Sequence, residues 1–234
     1  MTELPFPFLA EKGHVVSLVG GGGKTTLLYA MAAHCASRGW KVLVTTTTHI
    51  LCPADGTLAQ TDAQLQALWA RSSYAVVGTP APGGKLTAPA ADQLAAWMDQ
   101  ADGAFIEADG AKHLPCKAPA AQEPVLLPQS DIVLGVAGLS ALGQPLHKVC
   151  FRLEQACALL QAEPETLLTP ELLAQLLASP RGGRKQVGDR LFYGVLNQAD
   201  SAQRRNLGQQ TLAILRQCYG LEGFLTHFEE GERA

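Results

Sequence analysis

Residues 14–39, HVVSLVGGGGKTTLLYAMAAHCASRG, decide the fold class of this chain. The β-branched run at residues 14–19 predicts a short buried strand, and the pattern at residues 24–38 predicts a helix that Gly39 ends. Four glycines, at positions 20–23, join the two elements. A strand, a glycine loop and a helix in this order are typical of a phosphate-binding α/β domain.

Apolar runs continue to alternate with helical patterns along the rest of the 234 residues. Further strands are predicted at residues 41–46, 74–78, 104–107, 131–137 and 191–197. Further helices are predicted at residues 61–71, 90–100, 152–161, 170–178 and 201–219, and a turn or small hairpin at residues 79–89. This alternation indicates an α/β fold with a doubly wound, mainly parallel sheet, similar to P-loop NTPases. We interpret residues 1–234 as a single domain with a small helical insertion at residues 150–180.

The composition excludes several classes of protein. The chain has 18 basic and 21 acidic residues and a net charge of −3, whereas chains that bind the nucleic-acid backbone are strongly basic. Its apolar runs are shorter than a membrane helix requires, and the opening residues do not fit a secretory signal. The 6 cysteines are scattered, with no C-x-x-C pair, which favours reduced thiols. We therefore expect a cytoplasmic protein with no nucleic-acid or membrane partner.

The glycine loop carries the strongest chemical signal. Leu18 stands where the strict P-loop has its first glycine, but Gly20, Gly23 and the following Lys-Thr satisfy the shorter form G-x-x-G-K-T. In this form the loop resembles those of Mur-type ligases and of nucleotide-binding metallochaperone ATPases and GTPases. Glycines let backbone N–H groups curl around phosphate oxygens, the lysine reaches the β- and γ-phosphates, and the threonine hydroxyl ligates Mg²⁺. The predicted phosphate-binding residues are Gly20, Gly21, Gly22, Gly23, Lys24, Thr25 and Thr26.

Polar side chains follow two other predicted strands, at the sheet edge where ligands of open α/β sheets collect. Asp109 is the first candidate for holding Mg²⁺ or orienting an attacking water, and Glu107 is the second. An ordinary Asp-Gly turn is the alternative for Asp109. Thr47, Thr48 and His49 follow the strand at 41–46 and either contact phosphate, metal or a second substrate or are ordinary surface residues.

The tetrad Asn197-Gln198-Ala199-Asp200 lies between a predicted strand and a predicted helix. GTPases carry Asn-Lys-x-Asp at this place, where the aspartate binds guanine and the lysine stem covers the base. Asn197 and Asp200 are therefore candidates for reading the nucleobase, with Gln198 weakening the cover. The alternative is a helix cap, with Asp200 as the N-cap residue.

Residues 112–119 form a proline-containing segment with two lysines. Lys112 and Lys117 are candidates for clamping a second anionic substrate or the transferring phosphoryl group. Cys116 stands next to Lys117, and cations nearby are expected to lower the pKa of its thiol. The alternative is a solvated loop.

Four motifs together resemble the YqeC family. These are the glycine loop, TTTTHI at residues 45–50, EADGAKHLPCKAPAAQEPVLLP at residues 107–128, and NQAD at residues 197–200. The family is described as accessory proteins of selenium-dependent molybdenum hydroxylases, or as selenium-cofactor biosynthesis proteins. The resemblance implies a nucleotide-binding protein in the maturation of such an enzyme. Gln198 departs from the lysine that related chains usually have, which leaves ATP against GTP open.

The sequence thus predicts a Mg²⁺-dependent protein that binds ATP or GTP, with NTP hydrolysis or an NTP-dependent transfer or ligation as its reaction. Metal ligands are predicted at Thr25, Asp109 and Glu107, and catalytic roles at Lys24, Asp109, Lys112 and Lys117. A selenium species, a molybdopterin-type cofactor or the client hydroxylase is the expected partner. The alternatives are a non-enzymatic, nucleotide-switched carrier for the client and a Mur-like ligase.

Overall fold

The computed structural model describes residues 4–71 and 73–228. Its strands are β1 Val15–Gly20, β2 Val42–Thr46, β3 Ile50–Leu51, β4 Leu58–Ala59, β5 Ala75–Val77, β6 Thr79–Ala81, β7 Lys85–Thr87, β8 Gly103–Glu107, β9 Cys116–Lys117, β10 Ile132–Gly138, β11 Cys150–Phe151, β12 Leu191–Asn197 and β13 Gly223–Leu225. Its α-helices are α1 Lys24–Ser37, α2 Asp62–Ala70, α3 Ala91–Met98, α4 Leu146–Val149, α5 Leu153–Leu160, α6 Pro170–Ala178 and α7 Ala202–Tyr219.

Eight of the strands form one sheet in the order β13-β12-β10-β1-β8-β2-β5-β4. Every pair of neighbours in this sheet is parallel. β1 is central, with β8 on one side and β10 on the other, and the four consecutive buried residues in it fit a strand covered on both faces. The carboxyl ends of β1, β2, β8, β10 and β12 therefore meet along one edge.

Helices cover both faces of the sheet, which confirms the doubly wound α/β prediction. Consecutive strand residues point to opposite faces, so Val44 of β2 packs with Leu28 of α1, whereas Leu43 packs with α2 and α3. On the same side as α2 and α3, α6 and α7 pack near β10 and β12, where Leu177 lies close to Gly135. α1 thus stands on the face opposite α2, α3, α6 and α7.

All the predicted strands and helices are present, with ends that shift by at most two residues. Residues 79–89 do contain a hairpin, in which β6 and β7 pair antiparallel. Thr61 caps α2 by accepting from the amide of Gln64. Asp200 is not the N-cap of α7, because Ser201 accepts from the amide of Arg204 instead. The short strands β3, β4, β9, β11 and β13 were not predicted, since two or three residues carry too little periodicity.

The two helices at residues 150–180 lie in the connection from β10 to β12. Leu173 of α6 is buried in one cluster with Leu196 of β12 and Leu215 of α7. This segment therefore packs directly against the sheet and its last helix. Within residues 4–71 and 73–228, no helix has both the length and the apolar composition to cross a membrane.

Candidate functional site

The neighbouring strands β1 and β8 bring the glycine loop and the carboxylates together. Leu18 of β1 is in register with Glu107, the last residue of β8. The loop that follows β1 therefore begins beside Glu107 and Asp109. This adjacency depends on β8 inserting between β1 and β2, although β2 is the next large strand along the chain.

The first three amides of the glycine loop donate hydrogen bonds to other parts of the protein. The amide of Gly20 donates to Asp109, that of Gly21 to the carbonyl of Val136 at 2.9 Å, and that of Gly22 to the carbonyl of Leu114 at 3.1 Å. Gly20, Gly22 and Gly23 have φ of +98°, +77° and +102°, values at which only glycine is free of strain. The loop is thus tightly anchored on one side.

The amides of residues 23–26 make no hydrogen bond with any described residue. They are the last amide of the loop and the first three of α1, a 14-residue helix whose dipole places partial positive charge here. Four adjacent N–H groups at the start of a helix can bind an anion such as a phosphate.

Lys24 lies at the first position of α1 and its side chain folds back onto the loop. Its Nζ donates to the carbonyl of Gly20 at 2.6 Å and lies 3.2 Å from Oδ1 of Asp109 and 3.9 Å from Oε1 of Glu107. The side chain is only 4% exposed. The lysine predicted to bind phosphate is therefore held within reach of both candidate carboxylates.

Thr25 and Glu107 form the polar edge of the loop. The hydroxyl of Thr25 donates to Oε2 of Glu107 at 2.7 Å. Burial raises the pKa of Glu107, more than the charge of Lys24 and the hydrogen bond from Thr25 lower it. A hydroxyl and a carboxylate at this distance supply two of the oxygen donors that Mg²⁺ prefers.

Asp109 is enclosed by cations and by the glycine loop. Its two oxygens accept from the amide of Gly20 at 3.1 and 3.0 Å, and Oδ2 lies 3.0 Å from Nζ of Lys117. Lys117 also lies 2.7 Å from Oε2 of Glu123 and donates to the carbonyl of Gly110 at 2.6 Å. The Lys117 side chain is 1% exposed, so its charge acts inside the protein.

Arg152 extends this network of charges. Its Nη2 donates to Oε1 of Glu123 at 2.8 Å, and its guanidinium carbon lies 4.7 Å from the centre of the Phe151 ring. Three cations and three carboxylates therefore alternate from the glycine loop to the start of α5. In order they are Glu107, Lys24, Asp109, Lys117, Glu123 and Arg152.

A cavity of about 1390 Å³ opens over the amides of the loop. The predicted site residues that line it are Gly21, Gly22, Gly23, Lys24, Thr25, Thr26, Thr47, Thr48, His49, Glu107 and Lys112. The other predicted residues, Gly20, Asp109, Lys117, Asn197 and Asp200, lie outside its lining. Tyr29 of α1, Ile50 of β3 and Tyr74, just before β5, contribute apolar and aromatic side chains to the lining.

The side chain of Asn197 holds the glycine loop through a hydrogen bond. Its Nδ2 donates to the carbonyl of Gly22 at 2.9 Å, and its Oδ1 accepts from the hydroxyl of Thr226 at 3.1 Å. The side chain of Gln198 points to the turn that follows β10, where its Oε1 accepts from the amide of Ser140. Asp200 is exposed and pairs with Arg204. Asn197 therefore holds the glycine loop in place, whereas Gln198 bonds to Ser140 and Asp200 to Arg204.

Residues 112–119, the segment over the glycine loop, contain two residues in a rare backbone conformation. Lys112 and His113 have φ of +48° and +63°, which costs non-glycine residues free energy. Both side chains are exposed, and Nζ of Lys112 lies 5.3 Å from the centre of the Phe151 ring. Lys112, unlike Lys117, is therefore accessible to a ligand.

Cys116 is not the reactive thiol that its position in the sequence suggested. A hydrogen bond with Cys150 and then burial raise the pKa of Cys116, which is 1% exposed. The neighbouring lysine does not lower it, because Lys117 is the next residue of a strand and points to the opposite side.

Sequence reasoning missed Glu123, Phe151 and Arg152. Glu123 does stand in the distinctive block at residues 107–128, where a carboxylate before a proline was the available signal. Arg152 has no such signal, because it is 29 residues from its partner Glu123. The parallel pair β9 and β11 brings the two segments together.

The Glu123 contacts predict a pH dependence of stability. Burial raises the pKa of Glu123, but hydrogen bonds from Arg152 and Lys117 outweigh it, so the pKa is lowered on folding. We expect Glu123→Gln to reduce the free energy of unfolding by roughly 1–3 kcal/mol near neutral pH. A lowered carboxyl pKa stabilises the fold above its unfolded value and ceases to do so as the pH falls through the folded value. The difference between the two proteins should therefore shrink in acid.

Urea unfolding at a series of pH values measures this difference. Glu165→Gln is the matched control, because the Glu165 side chain is 81% exposed and its loss should leave stability nearly unchanged. A Glu123→Gln effect of the same size at every pH would contradict the assignment.

Comparisons with known proteins agree on one family. The family model of the YqeC protein matches residues 16–154. The chain is also 32% identical over 181 residues to the uncharacterized protein YqeC of Escherichia coli (strain K12), an alignment that covers 74% of this chain and 71% of that protein. The matched region includes the glycine loop, β8 and the whole charge network up to Arg152.

Proposed function

This chain belongs to the YqeC family, and from its glycine loop we propose that it binds a nucleoside triphosphate with Mg²⁺ and hydrolyses it as an accessory protein. The client we propose is a selenium-dependent molybdenum hydroxylase or its cofactor, in the cytoplasm, as the family resemblance implies. The observation that carries the proposal is the group of four unused amides at residues 23–26, which open into the large cavity.

The phosphate chain would bind across these amides. The polyanion would meet the positive end of α1 and the ammonium group of Lys24, two features that favour phosphate oxygens. Lys24 now donates to Gly20 and pairs with Asp109, so binding exchanges these partners for the β- and γ-phosphates. Asp109 would keep Lys117 and the Gly20 amide.

Glu107 and Thr25 are the ligands that we propose for Mg²⁺. They are in contact with each other and both line the cavity, whereas Asp109 does not and already accepts from three groups. Mg²⁺ typically binds one or two protein oxygens together with phosphates and waters. The ion would draw charge from the γ-phosphate. Asp109 then positions Lys24 and the loop.

The exposed side of the cavity would receive the second partner. Beyond the amides of residues 23–26, the lining of the cavity includes Lys112, Phe151, His49 and Tyr74. Lys112 is the accessible cation of the overlying segment and would contact an anionic group. Lys117 would act through Asp109 and Glu123, because it is enclosed by them.

Isothermal titration calorimetry with ATP, GTP and CTP, each with and without Mg²⁺, tests the proposal. We expect one or two of the nucleotides to bind, and binding to weaken without the ion. Each nucleotide that binds would also raise stability, by about 2.7 kcal/mol at a hundredfold excess over Kd. No heat from any of the three nucleotides would contradict the proposal.

Two variants locate the metal ligand. Glu107→Gln should remove most of the Mg²⁺ enhancement of binding, whereas Asp109→Asn should weaken binding with and without Mg²⁺ alike. The opposite result would return the metal to Asp109.

Phosphate release by the wild-type protein then separates the enzyme from a nucleotide-switched carrier, which would bind tightly without turnover.

A further inference from the structure

Two cysteines stand opposite each other just behind the cavity wall. Cys116 of β9 and Cys150 of β11 are register partners in a two-residue parallel ladder. Neighbouring strands lie about 4.8 Å apart, a separation within the Cα range of disulfides. Directly opposed residues of a ladder also point to the same side. The fold thus presents two thiols that are 34 positions apart in the sequence as a facing pair.

The surroundings of the pair are apolar and closed. Cys116 and Cys150 are 1% and 3% exposed and belong to the core cluster that includes Leu139 and Leu146. Sγ of Cys116 lies 3.3 Å from the carbonyl oxygen of Val149. The adjacent residue Phe151 lines the cavity, so the pair lies next to its wall.

We propose that Cys116 and Cys150 are a redox modification site that a hydroperoxide, of which hydrogen peroxide is the smallest, converts to a disulfide. The thiolate of Cys150 attacks one peroxide oxygen, the O–O bond breaks, and the leaving hydroxide takes up the proton that the Cys150 thiol released, so that Cys150 sulfenic acid and water form. The sulfur of Cys116 then displaces the sulfenic oxygen, which leaves as water with the proton of the second thiol. Two thiols and one hydrogen peroxide thus give one disulfide and two waters, with both sulfurs oxidised and the peroxide reduced.

The pKa values of the two thiols differ in the direction that these steps require. The hydrogen bond from Cys116 lowers the pKa of Cys150 despite its burial, while the same contact raises the pKa of Cys116. Cys150 is therefore the better first nucleophile. This proposal does not depend on nucleotide binding.

The disulfide would tie together the two segments that flank the charge network. β9 continues into Lys117, and β11 continues through Phe151 into Arg152. The carbonyl of Leu114, two residues before Cys116, covers the Gly22 amide. Oxidation would therefore fix the segment over the glycine loop against the start of α5.

Peptide mapping tests the site in the whole protein. The protein is exposed to hydrogen peroxide, quenched with catalase, alkylated in denaturant and cleaved with trypsin without reduction. Trypsin cuts after Lys112, Lys117, Lys148 and Arg152, so we expect a linked pair of HLPCK and VCFR. Its mass should be two hydrogen atoms below the sum of the peptides. We also expect Tm to rise by about 5–10 °C, reversed by dithiothreitol.

Controls come from the other cysteines. Cys116→Ser and Cys150→Ser should each lose the linked peptides and the rise in Tm, while Cys218→Ser, an exposed cysteine, should keep both. Buried Cys35 should stay alkylatable after unfolding. The proposal is overturned if HLPCK and VCFR are recovered separately alkylated while Cys52 and Cys218 are oxidised, or if Cys150 links to Cys157. The wild-type map alone decides this even if a serine variant fails to fold.

Discussion

Replacing Lys24 with methionine is expected to weaken the binding of ATP or GTP by at least about a hundredfold. Its ammonium group lies against the glycine loop, where Nζ donates to the carbonyl of Gly20, and each hydrogen bond to a charged group contributes about 1.5–3 kcal/mol. Two such bonds to the β- and γ-phosphates account for the expected loss. Phosphate release should fall below detection, because the same group stabilises charge that develops on the transferring phosphoryl group.

Calorimetry with Mg²⁺ and a phosphate-release assay measure these two effects. Methionine keeps the length of the side chain, and Asp109 retains Lys117 and the Gly20 amide, so the variant should fold. Lys148→Met is the matched control, since Lys148 is exposed on α4 outside the cavity. An unchanged Kd for Lys24→Met in a folded protein would place the nucleotide elsewhere.

Gly22→Ala is expected to be the most destabilising single methyl addition in the loop. A Cβ at this position would lie 2.0 Å from the amide nitrogen and 2.5 Å from the Cα of Gly138, and neither backbone atom can rotate away. The φ of +77° adds strain of about 1–2 kcal/mol. We expect a total loss of roughly 4 kcal/mol or more, together with loss of nucleotide binding, because β1 and β10 must separate.

Gly143→Ala measures the cost of backbone strain without a steric clash of the added Cβ. Gly143 has the same φ of +77°, but no atom of the described residues lies within 4 Å of the position of its added Cβ. It should cost only about 1–2 kcal/mol in urea unfolding and leave nucleotide binding intact. Equal losses for the two variants would mean that the loop can open without penalty and that its contact with Gly138 does not fix its shape.

Much of the fold follows from local patterns. The strand, glycine loop and α1 at residues 14–39 are readable because apolar periodicity, glycine and helix caps act between residues close in sequence. The same holds for α6 and β12, whose bounds agree with the prediction. The two-residue strands β9 and β11 are not readable, because their pairing depends on a partner 34 positions away.

The candidate site divides in the same way. The residue types of the loop and the carboxylates at residues 107 and 109 are visible in sequence, but their roles are not. Sequence ranked Asp109 above Glu107 as the metal ligand, and the contacts favour Glu107 because it meets Thr25 while Asp109 is enclosed by Lys24 and Lys117. Which carboxylate faces the cavity depends on how β8 lies against β1.

The sequence by itself determined the α/β class, the glycine loop and the family, since each depends on short stretches whose chemistry acts locally. Only the tertiary structure decided which groups meet: Lys117 with Glu123, Arg152 with Glu123, and Cys116 with Cys150. Charge and thiol interactions act over a few ångströms of space. The folding of the chain sets those distances, and the number of residues between two groups does not predict them.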